Sequence, residues 1–168
     1  MDKKIKIMAC VDFSEYSLIT LQHAVKLAKG LEGEIIVYNV INDQVFKYYD
    51  MVNVYLSEPV ALEERIRQIQ KERSLQFKEL VKTEFFEDKA LMSFKTDTGV
   101  PFECILKTID SEDVDYVVMA NKGRGNLEGI LFGSAAEKVF RHSPVPVVSV
   151  RVRKKFQRHT RYHGVIVS

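Results

Sequence analysis

Short runs of β-branched and other apolar residues alternate along this chain with longer stretches patterned at helical spacing, and no other feature limits its fold as strongly. Ile5 to Val11 reads as a first strand. Ser14 can cap the helix that follows, its Leu18, Leu21, Val25 and Ala28 recur on one side, and Gly30 is placed to stop it. Glu34 to Ile41 gives a second strand. Ser57-Glu58-Pro59 opens a helix from about Val60 to Phe86, Ala90 to Thr96 fits a third strand, and Thr98-Gly99 turns the chain into a helix begun by Pro101. Val114 to Ala120 is a fourth strand, a helix starts at Gly133-Ser134, and Val145 to Val150 is a fifth strand. Strands that alternate with helices predict βα units and a mainly parallel sheet, because parallel neighbours need a crossover between them.

Three stretches resist this pattern. From Asn42 to Ser57 the periodicity is lost, and Phe46, Tyr48, Tyr49, Met51 and Tyr55 stand where a short loop would suffice. The long helix carries Leu62, Ile66, Ile69, Phe77 and Leu80 along one stripe, broken at Arg73. Pro144 and Pro146 place the last strand at a sheet edge, since proline cannot donate to a ladder, and an exposed Val-rich edge invites a partner.

The segment after the fourth strand carries the chemistry. Gly123, Gly125 and Gly129 let backbone NH groups approach a ligand closely, and the helix opening at Gly133-Ser134 adds unpaired NH groups, a hydroxyl and the positive end of a helix dipole. That combination suits a phosphate. It lacks the GK[ST] ending of a Walker A loop, and its glycine spacing misses G-x-G-x-x-G by one residue.

With 168 residues, 46% apolar and 29% charged, the chain suits a single core. No apolar run approaches the roughly 20 residues of a bilayer span, and Met-Asp-Lys-Lys lacks a secretory segment, so a cytoplasmic location is expected without membrane contact. Cys10 and Cys104 have neither metal-ligand nor CxxC spacing and read as buried thiols, and the four histidines form no metal set. Residues 138–168 hold eight basic and no acidic residues, leaving an acidic body before a basic tail. With only Phe156 and Tyr162 for stacking, the tail reads as a solvated extension or a dimer arm before a nucleic-acid contact.

The glycine segment resembles the nucleotide loop of the universal stress protein family, whose pattern is Gly, two residues, Gly, nine residues, then Gly-Ser or Gly-Thr. Gly123, nine intervening residues and Gly133-Ser134 match, while Ala120 stands where the first glycine would be. Asp12-Phe13-Ser14-Glu15 after the first strand, and Ala136 to Val148 near the end, resemble the family's flanking blocks. The resemblance covers roughly residues 3–151 and implies a doubly wound five-stranded parallel sheet of order 3-2-1-4-5 with helices on both faces. Residues 1–151 would form this α/β domain and residues 152–168 a basic extension.

The resemblance further implies a site for ATP, ADP or AMP, with Mg2+ accompanying the phosphates. Asp12 would hold ribose hydroxyls, or else serve as a turn residue before Ser14. The backbone of Val40 would contact adenine, and Ala120, Lys122, Gly123, Arg124, Gly133 and Ser134 would surround ribose and phosphates. Lys122 and Arg124 are equally readable as solvated loop cations. The last strand would pair with its twin in a homodimer. The expected role is a regulatory, stress-response module acting on a protein partner. A nucleotide-free interaction module and a slow ATPase remain alternatives, although neither an HxGH signature nor a G-x-S-x-G elbow is present.

Overall fold

The structure, a computed structural model, describes residues 3–44, 62–121 and 133–151. Its five strands are β1 (Lys6–Cys10), β2 (Glu34–Asn42), β3 (Met92–Gly99), β4 (Tyr116–Ala120) and β5 (Val147–Val150). They form one sheet of order β3-β2-β1-β4-β5 in which every neighbouring pair is parallel. Among the described residues they are connected by the helices α1 (Tyr16–Leu31), α2 (Leu62–Glu84), α3 (Pro101–Ser111) and α4 (Ser134–His142).

Side-chain alternation along the strands divides the core in two. Ile7, Ala9, Val11, Ile35, Val37, Val118 and Val150 point to the α1 side with Leu21, Ala24, Val25 and Ala28, and the half-buried Phe77 and Leu80 of α2 pack on this layer. Met8, Ile36, Tyr38, Val117 and Met119 point the other way and meet Ile105 and Ile109 of α3 and Ala136 and Val139 of α4. Helices therefore cover both faces, as a fully parallel sheet requires.

Several boundaries differ from the sequence expectations. Helix α1 begins at Tyr16, and its N-cap is Glu15; the Ser14 hydroxyl accepts the Tyr16 NH from one position further out, at 3.3 Å. Gly30 does not stop α1: the helix runs to Leu31 and closes at Glu32, which takes the left-handed conformation with φ 52°. A six-residue 3-10 helix, Phe86–Leu91, occupies the start of the expected third strand, and β3 instead continues through Thr98 to Gly99. Gly99, at φ 149°, is thus both the strand's last residue and the turn into α3. Strand β5 begins two residues late, because Pro144 and Pro146 precede it and only the Pro146 carbonyl joins the ladder, accepting the Val117 NH at 3.0 Å.

The Arg73 break in the apolar stripe of α2 also has a physical cause. Its guanidinium lies 5.3 Å from the centre of the Phe13 ring. Phe13 meets Phe94 edge-on at 6.1 Å, and Phe94 stacks on Phe77 at 4.7 Å. The aromatic segment from Phe46 to Tyr55, the helix start at Ser57-Glu58-Pro59 and the basic tail lie outside the described residues.

Candidate functional site

In sheets of this kind ligands sit beyond the strand C-termini where the winding reverses. Here that point lies between β1 and β4, paired through Cys10 and Met119, so that Val11–Asp12 and Ala120–Asn121 leave the sheet side by side. Asp12 and Ala120 are more than 100 residues apart in sequence, and the topology makes them neighbours at one edge.

Asp12 occupies a tightly built turn. Its Oδ1 accepts the Ser14 NH at 3.0 Å and the Ser17 hydroxyl at 3.4 Å, so the carboxylate organises the entry to α1. Between Asp12 and Ser14, Phe13 adopts φ 58°. A bulky residue in that region is strained by about 1–3 kcal/mol and persists only where its surroundings over-determine it. The edge-on contact with Phe94 and the Arg73 guanidinium over its ring supply that constraint.

Val40 lies near the end of β2, half-buried, with its side chain on the α3 side. Its main chain has a particular setting. The Val11 NH donates to the Tyr38 carbonyl at 2.9 Å, which shows that the polar groups of Tyr38 face β1. Alternate residues of a strand present their main chain to the same neighbour, so Val40 also faces that side, past the point where β1 has turned away.

Ala120 is the last residue of β4, opposite Val150, and is half-buried. The non-glycine residues with positive φ among those described are Phe13, Glu32 and Asp113, so Ala120 keeps an ordinary extended backbone that a methyl group does not strain. Beyond it, the Asn121 carbonyl accepts the Gly133 NH at 2.8 Å and the Asn121 NH donates to the Val150 carbonyl at 3.1 Å. The two ends of the glycine segment therefore meet at Asn121 and Gly133. Lys122, Gly123 and Arg124 lie outside the described residues.

The Asn121–Gly133 bond adjusts one expectation. The Gly133 NH is engaged within the protein, so donation to an anion would begin at Ser134, the exposed first residue of α4. The first NH groups of a helix have no acceptor within it, and the dipole favours negative charge there. A Cβ on Gly133 would meet nothing closer than the Asn121 carbonyl oxygen at 3.9 Å. The described atoms thus leave room beside this helix start.

Two residues at this edge had not been singled out from the sequence. Asn39, only 3% exposed, donates through Nδ2 to the Val11 carbonyl at 2.8 Å. An asparagine within the apolar run of β2 was the available signal. Ser17, a buried partner of Asp12, carried none.

Comparison with known proteins follows the same outline. Residues 5–151 match the sequence model described as the universal stress protein family. A universal stress protein of Methanocaldococcus jannaschii is 32% identical over 154 residues, covering 87% of this chain and 94% of its own. The solved structure of that archaeal protein superposes with a TM-score of 0.72 at 26% identity, covering 89% of this chain and 97% of its own. A universal stress protein of Archaeoglobus fulgidus, solved in complex with dAMP, shares the fold at TM-score 0.57 and 18% identity, covering 90% of this chain and all (100%) of its own. A further universal stress protein structure, solved in complex with cAMP, shares the fold at TM-score 0.54 and 20% identity, covering 88% of this chain and 96% of its own.

Proposed function

The chain belongs to the universal stress protein family, and from that membership we propose that it binds an adenine nucleotide, ATP foremost, as a regulatory module in the cytoplasm. The observation that carries this reading is the convergence, at the reversal point of the sheet, of the Asp12 turn, the Val40 main chain and the Asn121–Gly133 junction with the start of α4. Two relatives of the same fold, solved with dAMP and cAMP, support the choice of adenine nucleotides.

In this reading Asp12 accepts hydrogen bonds from ribose hydroxyls, for which an ionised carboxylate is suited. The Val40 NH and carbonyl meet the adenine edge. Ser134 and the NH groups after it receive phosphate oxygens, with Lys122, Gly123 and Arg124 completing that side and Ala120 lying next to the ribose. Among the described residues nothing but the Asn121 carbonyl oxygen, at 3.9 Å, would meet a Cβ on Gly133, which is consistent with this placement. Mg2+ would enter as a counterion of the phosphates. Turnover is not required. The outer strand β5, with β4 as its neighbour among the described residues, would pair with a second copy.

Native mass spectrometry of protein purified without added nucleotide tests the reading, together with thermal melting in ATP. A stoichiometric adenine-nucleotide mass, and a stabilisation approaching about 2.7 kcal/mol at a hundredfold excess over Kd, are expected. An empty protein whose melting is indifferent to ATP would support a nucleotide-free interaction module, the alternative for which Ala120 speaks.

A further inference from the structure

We propose that Asn39 is a positioning residue that holds β1 and β2 apart at the sheet edge, so that the Val40 main chain stays available to the adenine base. The inference rests on the adenine reading of this edge and adds a residue to it.

Up to Tyr38 the two strands form a regular parallel ladder, with Cys10 opposite Tyr38 and the Val11 NH on the Tyr38 carbonyl at 2.9 Å. Continued by one rung, the same ladder would carry the Val40 NH onto the Val11 carbonyl. Among the described residues that bond is not made. The Val11 carbonyl instead accepts Asn39 Nδ2 at 2.8 Å, a buried contact. The side chain of one residue has taken the place of the next residue's amide. Were Asn39 apolar, the Val11 carbonyl would lose this buried donor, and the donor that a continued ladder supplies is the Val40 NH.

The amide orientation follows from chemistry, because a carbonyl can only accept and so the nitrogen must face Val11. Oδ1 is then left buried and without a partner among the described residues. An unpaired buried acceptor is a standing cost that a hydrophobic side chain would avoid. Its presence in an otherwise apolar strand interior points to a task other than packing. The same junction contains the strained Phe13 and the Asp12 turn, so the end of β1 is fixed on both sides: by Asn39 at Val11, and by Ser14 and Ser17 at Asp12.

Residue-resolved amide hydrogen exchange on the full 15N-labelled chain, paired with calorimetric titration of ATP and of inorganic tripolyphosphate, tests this. In the wild type without nucleotide, the Val40 NH should exchange at least about tenfold faster than the laddered Tyr38 NH, and ATP should slow it. In Asn39→Ala the Val40 NH should become protected without nucleotide. ATP affinity should then fall about tenfold while tripolyphosphate affinity is unchanged. Asn39→Leu, which keeps the number and branching of the side-chain heavy atoms, gives the same readout if the alanine variant is unstable. A Val40 NH already protected in the nucleotide-free wild type, or ATP affinity in both variants within twofold of wild type, overturns the inference. A wild type that binds no ATP but has a fast Val40 NH instead overturns the adenine reading and the role toward the base, leaving the separated strands as a structural fact.

Discussion

A Cβ placed on Gly33 would lie 2.7 Å from the carbonyl oxygen of Ile5. That oxygen is the acceptor for the Glu34 NH at 2.8 Å, the contact that brings β2 alongside β1. A methyl group there must displace backbone on both sides, so Gly33→Ala should destabilise the protein by about 1–3 kcal/mol. Gly30, three residues earlier, meets nothing within 4 Å, and its backbone is helical and exposed. Gly30→Ala should therefore stabilise by up to about 1 kcal/mol. Urea unfolding of the two variants should give shifts of opposite sign.

Stability should fall in alkali for an identifiable reason. Burial pushes the Cys10 thiol up to about 12 from its usual 9.0. Burial, aided by the hydrogen bond to Asp97, raises the Tyr38 phenol above its usual 10.0. Both groups keep their proton longer in the folded chain than in the unfolded one. Their contribution is complete below pH 9.0 and is lost as pH rises from there, for Cys10 until about 12. Urea midpoints should be flat from about pH 7 to 8.5 and decline above. In Cys10→Ala the decline should be shallower, and a slope identical to wild type would discount the thiol.

Tyr38→Phe should cost about 1–3 kcal/mol without altering the fold. The Tyr38 hydroxyl donates to Asp97 Oδ2 at 2.6 Å and accepts from the Thr108 hydroxyl at 2.9 Å, joining β2, β3 and α3. Tyr38 is 1% exposed, so its removal leaves buried partners short of a bond. Equilibrium unfolding should report the loss, and far-UV circular dichroism should stay unchanged.

The order of strands and helices was legible in the sequence because central parallel strands buried on both faces read as continuous apolar runs, and helices packed on one face read as a 3.6-residue period. What was not legible lies where a contact distant in sequence overrides a local preference. Gly30 is the better helix stop by propensity, yet Glu32 takes the left-handed position, which leaves glycine at 33, where the Ile5 carbonyl demands it. Arg73 interrupts an apolar stripe only until Phe13 is placed beneath it. Asp12 could be assigned to the site edge from its block, but the strain at Phe13 and the replacement of a ladder rung by Asn39 depend on where β1 parts from β2. No local pattern encodes that point.

Asp12→Ala separates the two roles of this carboxylate. Loss of the turn to Ser14 and Ser17 should destabilise by about 0.5–2 kcal/mol. Loss of a charged acceptor for ribose should weaken ATP binding by at least about tenfold. Ser17→Ala disturbs the turn alone, so its effect on ATP affinity should stay within about threefold. Titration calorimetry beside thermal melting distinguishes them. If the two variants lose affinity in proportion to stability, Asp12 serves the turn and not the ligand.

Ala120→Gly restores the glycine of the family's loop pattern and tests what the alanine costs. A methyl group at this position would be harmful if the backbone were left-handed or if the ligand pressed against it. The first condition does not hold: Ala120 closes β4 opposite Val150 with no positive φ. Substitution therefore relieves no strain, and it adds the entropy of a glycine in a strand, about 0.5–1 kcal/mol of lost stability. ATP affinity should change by less than about threefold, the scale of a few tenths of a kcal/mol. A gain of more than tenfold, measured by titration calorimetry, would show the methyl group pressing against bound nucleotide and limiting the affinity of the native chain.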